Sequence, residues 1–369
     1  MTLLERLHDE LQMNGAMPFV DFMQLALYAP QFGYYNAGLQ TFGVGGDFIT
    51  APELTPLFGH TIANQCAQVC HELTNPILFE FGAGSGRLCV DILMRLEQLD
   101  ALPFEYHILD VSCQLQSRQQ QLVQQTIPHL ADKIKWLSSW PTKRFCGVII
   151  ANEVLDAMPV HRFLKTEEGL YEIYVGLNEA GHLSEVAKPC VNSRVISHVN
   201  TVLPHDLVPY QSEVNLFIDD WMSQCHAMLD VGVMFILDYG FPRHEYYHPD
   251  RTQGTLMCHY QHLAHANPLL YVGEQDITAH VDFTHVAEAA LSADFHVAGY
   301  TNQASFLLAN GLLSLLEQFE GDGLINTKQA IKTLLQPNEM GELFKVMALT
   351  KQCDLALNGF QLHDKRASL

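Results

Sequence analysis

Positive charge is scarce in this chain. Its 369 residues hold 20 Lys and Arg against 41 Asp and Glu, for a formal net charge of −21. A basic footprint for a phosphate backbone is missing, so nucleic acid is not an expected partner. An acidic surface can steer cationic partners, and it also keeps a protein dispersed in water. No apolar run approaches the roughly 20 residues that a membrane-crossing helix needs, so no membrane partner is expected. The nine cysteines are odd in number and contain no C-x-x-C pair. Reduced thiols, and with them a cytoplasmic location, are the expectation. Met1 to Glu10 carries acids early and has neither a signal-peptide nor a transit-peptide layout. His259, His262 and His265 recur every three residues, but no acidic residue joins them to complete a ligand set, so no metal is expected. Low-complexity linkers and internal repeats are also missing, which favours one core with insertions.

Hydrophobic content of 48% with 17% charged residues suits a globular chain. Its most informative stretch is Ile77-Leu78-Phe79-Glu80-Phe81-Gly82-Ala83-Gly84-Ser85-Gly86-Arg87-Leu88. A short apolar run ends in an acid and a glycine-rich turn, and a periodic apolar segment comes next (Leu88, Ile92, Leu93, Leu96). The pattern predicts strand, tight turn, helix. Arg87 stands where a dinucleotide site has its third glycine, and the Gly-Lys-Ser/Thr ending of a triphosphate loop is lacking. What remains is the G-x-G-x-G of S-adenosyl-L-methionine (SAM) methyltransferases, or a plain strand–helix turn that binds nothing.

Tyr106 to Asp110 reads as a second strand ending in a carboxylate, 24 residues after Gly86. An acid about 20 residues beyond such a turn can accept hydrogen bonds from both ribose hydroxyls of an adenosine cofactor. Asp110 could instead be a helix N-terminal charge, with Ser112 as the cap. Turn and acid together favour an adenosine-type cofactor.

Further strands are predicted at 133–137 and 147–152, with helices over 86–99 and 112–126. Alternation of this kind implies a parallel, doubly wound sheet. Residues 4–28 read as helical, interrupted near Pro18. Asp47, Thr50 and Glu53 lie in a glycine-rich loop that could close over a cofactor. After Pro159 the pattern turns to β through about residue 200. Then come a helix at 214–229, a core strand at 231–240 and a long polar loop over 241–284. Helices and strands to residue 349 complete the chain.

Several segments together resemble one family, the proteins similar to the mitochondrial complex I assembly arginine methyltransferase and their bacterial relatives. They are Gly46 to Glu53, Glu80 with the glycine trio, Ala151-Asn152-Glu153-Val154-Leu155-Asp156-Ala157-Met158-Pro159-Val160, Asp238-Tyr239-Gly240, Gly254-Thr255-Leu256, Asp276 to Phe283 and Phe344 to Leu349. The chain departs from the family's pattern at Ala83, Asp110 and Met257. The resemblance implies an α/β class I (Rossmann-like) SAM-dependent methyltransferase with a mostly parallel seven-stranded sheet. It also implies SAM as cofactor and a protein arginine side chain as acceptor. A small-molecule methyltransferase and a SAM-binding scaffold are the alternatives, and a homodimer is compatible with all three. The expected organisation is an N-terminal helical cap and lid loop over 1–75. A core with insertions at about 160–200 and 241–284 then fills 76–369.

Because the pKa of a guanidinium exceeds about 12, a carboxylate must orient it and take its proton. Glu153 is the leading candidate, with Asn152 aiming substrate or cofactor, Asp156 assisting and His280 lining the acceptor channel beside Asp282. Cofactor contacts are expected from Asp47, Thr50, Glu80, Gly82, Gly84, Gly86, Asp110 and Asn152.

Overall fold

The computed structural model describes residues 2–37, 50–319 and 324–369. They fall into two compact units. One comprises residues 50–155, Trp221–Gly240 and Phe283–Leu369; the other comprises residues 2–37, Asp156–Asp220 and Phe241–Asp282. Among the described residues no helix is long and apolar enough to cross a membrane.

The first unit is built on seven strands. They are β1 (Ile77–Phe81), β2 (Glu105–Leu109), β3 (Ile134–Leu137), β4 (Phe145–Asn152), β5 (Leu229–Phe241), β6 (His296–Asn302) and β7 (Phe344–Lys351). In space they run β6-β7-β5-β4-β1-β2-β3. The pairs β5–β4, β4–β1, β1–β2 and β2–β3 are parallel, whereas β7 runs antiparallel to both β5 and β6. The expectation is a mostly parallel seven-stranded sheet; the sheet observed is mixed, with four parallel pairings and two antiparallel ones along this path, and it counts eight strands in all among the described residues. Its central strands are apolar on both faces because helices cover both: Leu78, Phe79, Val148, Ile149, Ile150 and Phe235 are fully buried. The helices Pro56–Cys70, Arg87–Gln98 and Cys113–Thr126 contribute to this core through Phe58, Ile62, Leu93 and Val123.

The register fixes which strand ends share an edge. Phe81 lies opposite Leu109 on β2 and opposite Ala151 on β4, and Asn152 lies opposite Leu237 on β5. The carboxyl ends of β1, β2, β4 and β5 therefore line one side of the sheet. In a parallel α/β sheet that is where ligands bind.

The second unit is mostly antiparallel. Helices Leu3–Asn14 and Phe19–Tyr28 accompany a five-stranded sheet of Met17–Pro18, Gly169–Leu177, His161–Thr166, Tyr210–Val214 and Leu183–Pro189. Strand Tyr210–Val214 goes beyond the β segment expected to end near residue 200. It also takes in Val214, where a helix over 214–229 is expected; that helix runs Ile218–Met228. Ser212 and Glu213 are fully buried, and Glu213 faces Arg162 on the neighbouring strand. The region expected as a long polar loop holds a three-stranded sheet. Met257–Tyr260 lies between Leu263–His265 and Asp276–Thr278. Pairing of Met257 with Thr278 joins residues too far apart in sequence for periodicity to reveal it.

Candidate active site

The turn after β1 is made of backbone. Gly82, Gly84 and Gly86 have φ of +57°, +52° and +86°, a region that side-chain-bearing residues rarely adopt. Gly82 N–H donates to the Leu109 carbonyl at 3.0 Å, which extends the β1–β2 ladder by one step. Gly86 then caps the helix Arg87–Gln98. The turn is also tied from outside. The Ser85 hydroxyl donates to the Glu53 carboxylate and accepts from the Arg87 N–H at 3.2 Å. Glu53 belongs to the short helix Ala51–Leu54, for which Thr50 is the extended N-cap residue. Asp47, expected to contact the cofactor, lies outside the described residues.

Glu80 is nearly fully buried and accepts a hydrogen bond from the Tyr106 hydroxyl at 2.8 Å. Burial drives its carboxyl pKa up to about 8, partly offset by the Tyr106 hydrogen bond. Asp110 stands at the end of β2, 8% exposed. One of its oxygens accepts from Ser112 N–H at 3.0 Å and the other from Gln119 Nε2 at 2.9 Å. Burial raises the Asp110 pKa while these donors act against the rise. Ser112 also caps the following helix, so the charge reading and the cap reading of this segment both hold.

At the end of β4, Glu153 takes φ +52°, a left-handed conformation uncommon for a residue with a side chain. Its N–H still donates to the Leu237 carbonyl on β5 at 2.9 Å. Asp238 fixes the next two residues of the chain: one carboxylate oxygen accepts from Val154 N–H at 3.2 Å and Leu155 N–H at 2.9 Å. The other accepts from its own strand at Tyr239 N–H, 2.9 Å away. Glu153 is thus half-buried and turned out of the ladder, while its neighbour Asn152 is buried and donates to the Glu153 carboxylate at 3.2 Å. Among the described residues the Asn152 side-chain oxygen is buried without a hydrogen-bond partner.

Asp156 and His280 belong to the second unit. The Asp156 carbonyl accepts from Ala279 N–H at 3.0 Å, which brings the two segments side by side. His280 lies with its ring parallel to Phe241, centroids 5.3 Å apart, and Arg251 caps the same Phe241 ring at 4.1 Å. The His280 N–H donates to the Thr255 hydroxyl oxygen at 3.1 Å, and Thr255 in turn donates through its N–H to Glu213 at 2.9 Å. Asp282 pairs with Arg243 at 3.3 Å. The structure therefore gathers Thr50, Glu80, Gly82, Gly84, Gly86, Asp110, Asn152 and Glu153 in one unit and Asp156 and His280 in the other. Three supports could not be paired from the sequence: Asp238 behind Glu153, Gln119 behind Asp110, and the Ser85–Glu53 bond. Asp238 shows as a strand-end carboxylate in the Asp238-Tyr239-Gly240 segment, without its partners. Gln119 shows as nothing at all, being one glutamine in a helix full of them.

The sheet order, the bare-backbone turn after β1 and the carboxylate after β2 define a class I, SAM-dependent methyltransferase. Comparison with known proteins agrees. A family model described as "Putative S-adenosyl-L-methionine-dependent methyltransferase" matches residues 61–301, and the chain belongs to that family. It is 39% identical to a Burkholderia thailandensis protein whose crystal structure contains S-adenosyl-homocysteine, with a TM-score of 0.95 over 100% of this chain and 96% of that one. It is 27% identical to the Drosophila melanogaster "Protein arginine methyltransferase NDUFAF7 homolog, mitochondrial", over 94% of this chain and 84% of the relative. The human protein of the same name is 26% identical over 94% of this chain and 83% of its own length. These names overturn the cytoplasmic expectation. Thiol chemistry separates reducing from oxidising surroundings but does not distinguish one reducing compartment from another.

Proposed function

We propose that this methyltransferase acts on the guanidinium of an arginine in a protein acceptor. The observation that carries the reading is Glu153. It is a carboxylate turned out of the sheet ladder in a left-handed backbone conformation and held from behind by Leu237 and Asp238. Strain of this kind persists only where surrounding bonds enforce it, and it is common where a side chain must be aimed. Relatives at 26–27% identity are named protein arginine methyltransferases.

The residues present suit SAM. The glycine turn offers backbone without Cβ atoms, Asp110 offers a carboxylate for ribose hydroxyls, and Asn152 keeps a buried side-chain oxygen that has no partner among the described residues. We assign Gly82, Gly84, Gly86, Asp110 and Asn152 to holding the cofactor, with Glu80 supporting the turn through Tyr106 and Thr50 placed at the helix that Ser85 grips. When bound, SAM supplies an electrophilic methyl carbon. The chain's own task is to aim the acceptor nitrogen and to take its proton. Positioning supplies much of the rate in such displacements. The Glu153 carboxylate would orient the guanidinium, draw its charge toward the nitrogen it touches and accept the proton released as the N–C bond forms and the methyl–sulfur bond breaks. Asp156 and His280 are assigned acceptor contacts only.

Incubation with isotopically labelled SAM and cell extract tests this. A labelled protein band that releases methylarginine on hydrolysis is expected. Label in a soluble metabolite would make the acceptor a small molecule, and absence of label with intact SAM binding would make the protein a scaffold. Glu153→Gln should abolish transfer and leave SAM binding intact; undiminished turnover in that variant would remove Glu153 from the mechanism.

A further inference from the structure

Helix Cys113–Thr126 turns the stripe Leu115, Gln119 and Val123 inward. Two of these are aliphatic, and Gln119 is fully buried among such neighbours. A buried amide must find partners for its donors and its acceptor. The Gln119 amide finds three. Its Oε1 accepts from the Trp136 indole N–H at 3.0 Å, and its Nε2 donates to the Gly84 carbonyl at 3.0 Å and to Asp110 at 2.9 Å. An indole nitrogen can only donate, so Trp136 dictates which end of the amide faces it. Both N–H groups are thereby aimed at the glycine turn and the strand-end acid. Contact with the turn is close: a Cβ at Gly86 would stand 3.1–3.2 Å from Gln119 atoms.

We infer that Gln119 is a positioning residue for the SAM site, one amide that sets the Asp110 carboxylate against the glycine turn before the cofactor arrives. The inference rests on the assignment of Asp110 to cofactor binding. It adds a residue from the helix after β2 that belongs to neither the turn's sequence motif nor the acid's. Without the amide, Asp110 keeps only donors from its own segment, such as the Ser112 N–H, and is free to swing. Trp136, on β3, extends the chain of support across two strands.

Calorimetric titration of the full-length protein with S-adenosyl-homocysteine tests the inference, using Gln119→Met, Asp110→Ala and the double variant. Gln119→Met keeps the length and bulk of the side chain and removes its donors. It should weaken binding roughly tenfold, the effect of losing one hydrogen bond to a charged group. The double variant should bind no worse than Asp110→Ala alone, because Gln119 acts through that carboxylate. Losses that multiply would show a merely structural role and overturn the inference, as would unchanged binding in Gln119→Met. Trp136→Phe, which removes the indole N–H, supplies a second reading if Gln119→Met fails to fold. It should show a smaller loss in the same direction, and unchanged binding there would count against the inference. Unchanged affinity in Asp110→Ala is a different failure: it would remove Asp110 from the cofactor site altogether.

Discussion

The edge of the parallel sheet and the antiparallel unit solve the same problem by opposite means. Both must hold polar groups in fixed places away from water. At the sheet edge the geometry is mostly local and made by backbone: three left-handed glycines, a ladder one step longer than the strand, and an acid tied to the residue two places on. In the antiparallel unit it is made by side chains from remote parts of the chain. Tyr28 donates to the Ala157 carbonyl at 2.8 Å, Tyr35 to Asp276 at 2.9 Å, and Glu213 gathers both donors of Thr255. Local devices leave a sequence motif, whereas remote ones leave isolated polar residues that look like loop. The first kind should fail through ligand binding, the second through stability.

Four substitutions test that contrast, the largest effect first. Gly84→Val places a β-branched side chain at φ +52° in the turn and should eliminate SAM binding by calorimetry. Normal binding there would break the cofactor assignment at its centre. Glu80 comes next, through pH. Its folded pKa of about 8 lies above the ordinary 4.5, so the folded state keeps a proton that the unfolded chain releases. Its contribution is complete below about pH 4.5 and is lost as pH rises through about 8. Glu80→Gln, which still accepts from Tyr106, should flatten the fall of Tm across that window; an unaltered Tm–pH slope would contradict the buried, protonated carboxyl.

Glu213→Ala strips both Thr255 donors of their acceptor in the second unit. Leaving buried donors unmade costs about 1–3 kcal/mol, so chemical denaturation should show that loss while SAM affinity stays as it was. A loss of SAM affinity instead would erase the distinction between the two regions. Smallest is Asn192→Ala, at the cap of helix Ser193–Val202, where the side chain accepts from Arg194 N–H at 3.0 Å. A lost cap costs about 1 kcal/mol. It is a local device within the remote-contact unit, and its melting shift should be smaller than that of Glu213→Ala.

The chain's own order of residues determined the parallel part of the sheet, the glycine turn, Asp110 and the Asn152–Glu153 pair. Each is signalled within a few residues: by apolar runs that end in Gly or an acid, and by 3.6-residue periodicity between them. Only the tertiary structure decided that Glu213 and Ser212 are buried strand residues, that Met257 pairs with Thr278, that Asp238 props the Glu153 turn and that Gln119 grips Asp110. The physical reason is the same in every case. A polar side chain reads as solvated until a partner from elsewhere in the chain satisfies it, and that partner's identity is set by strand register and helix facing, which no local window contains.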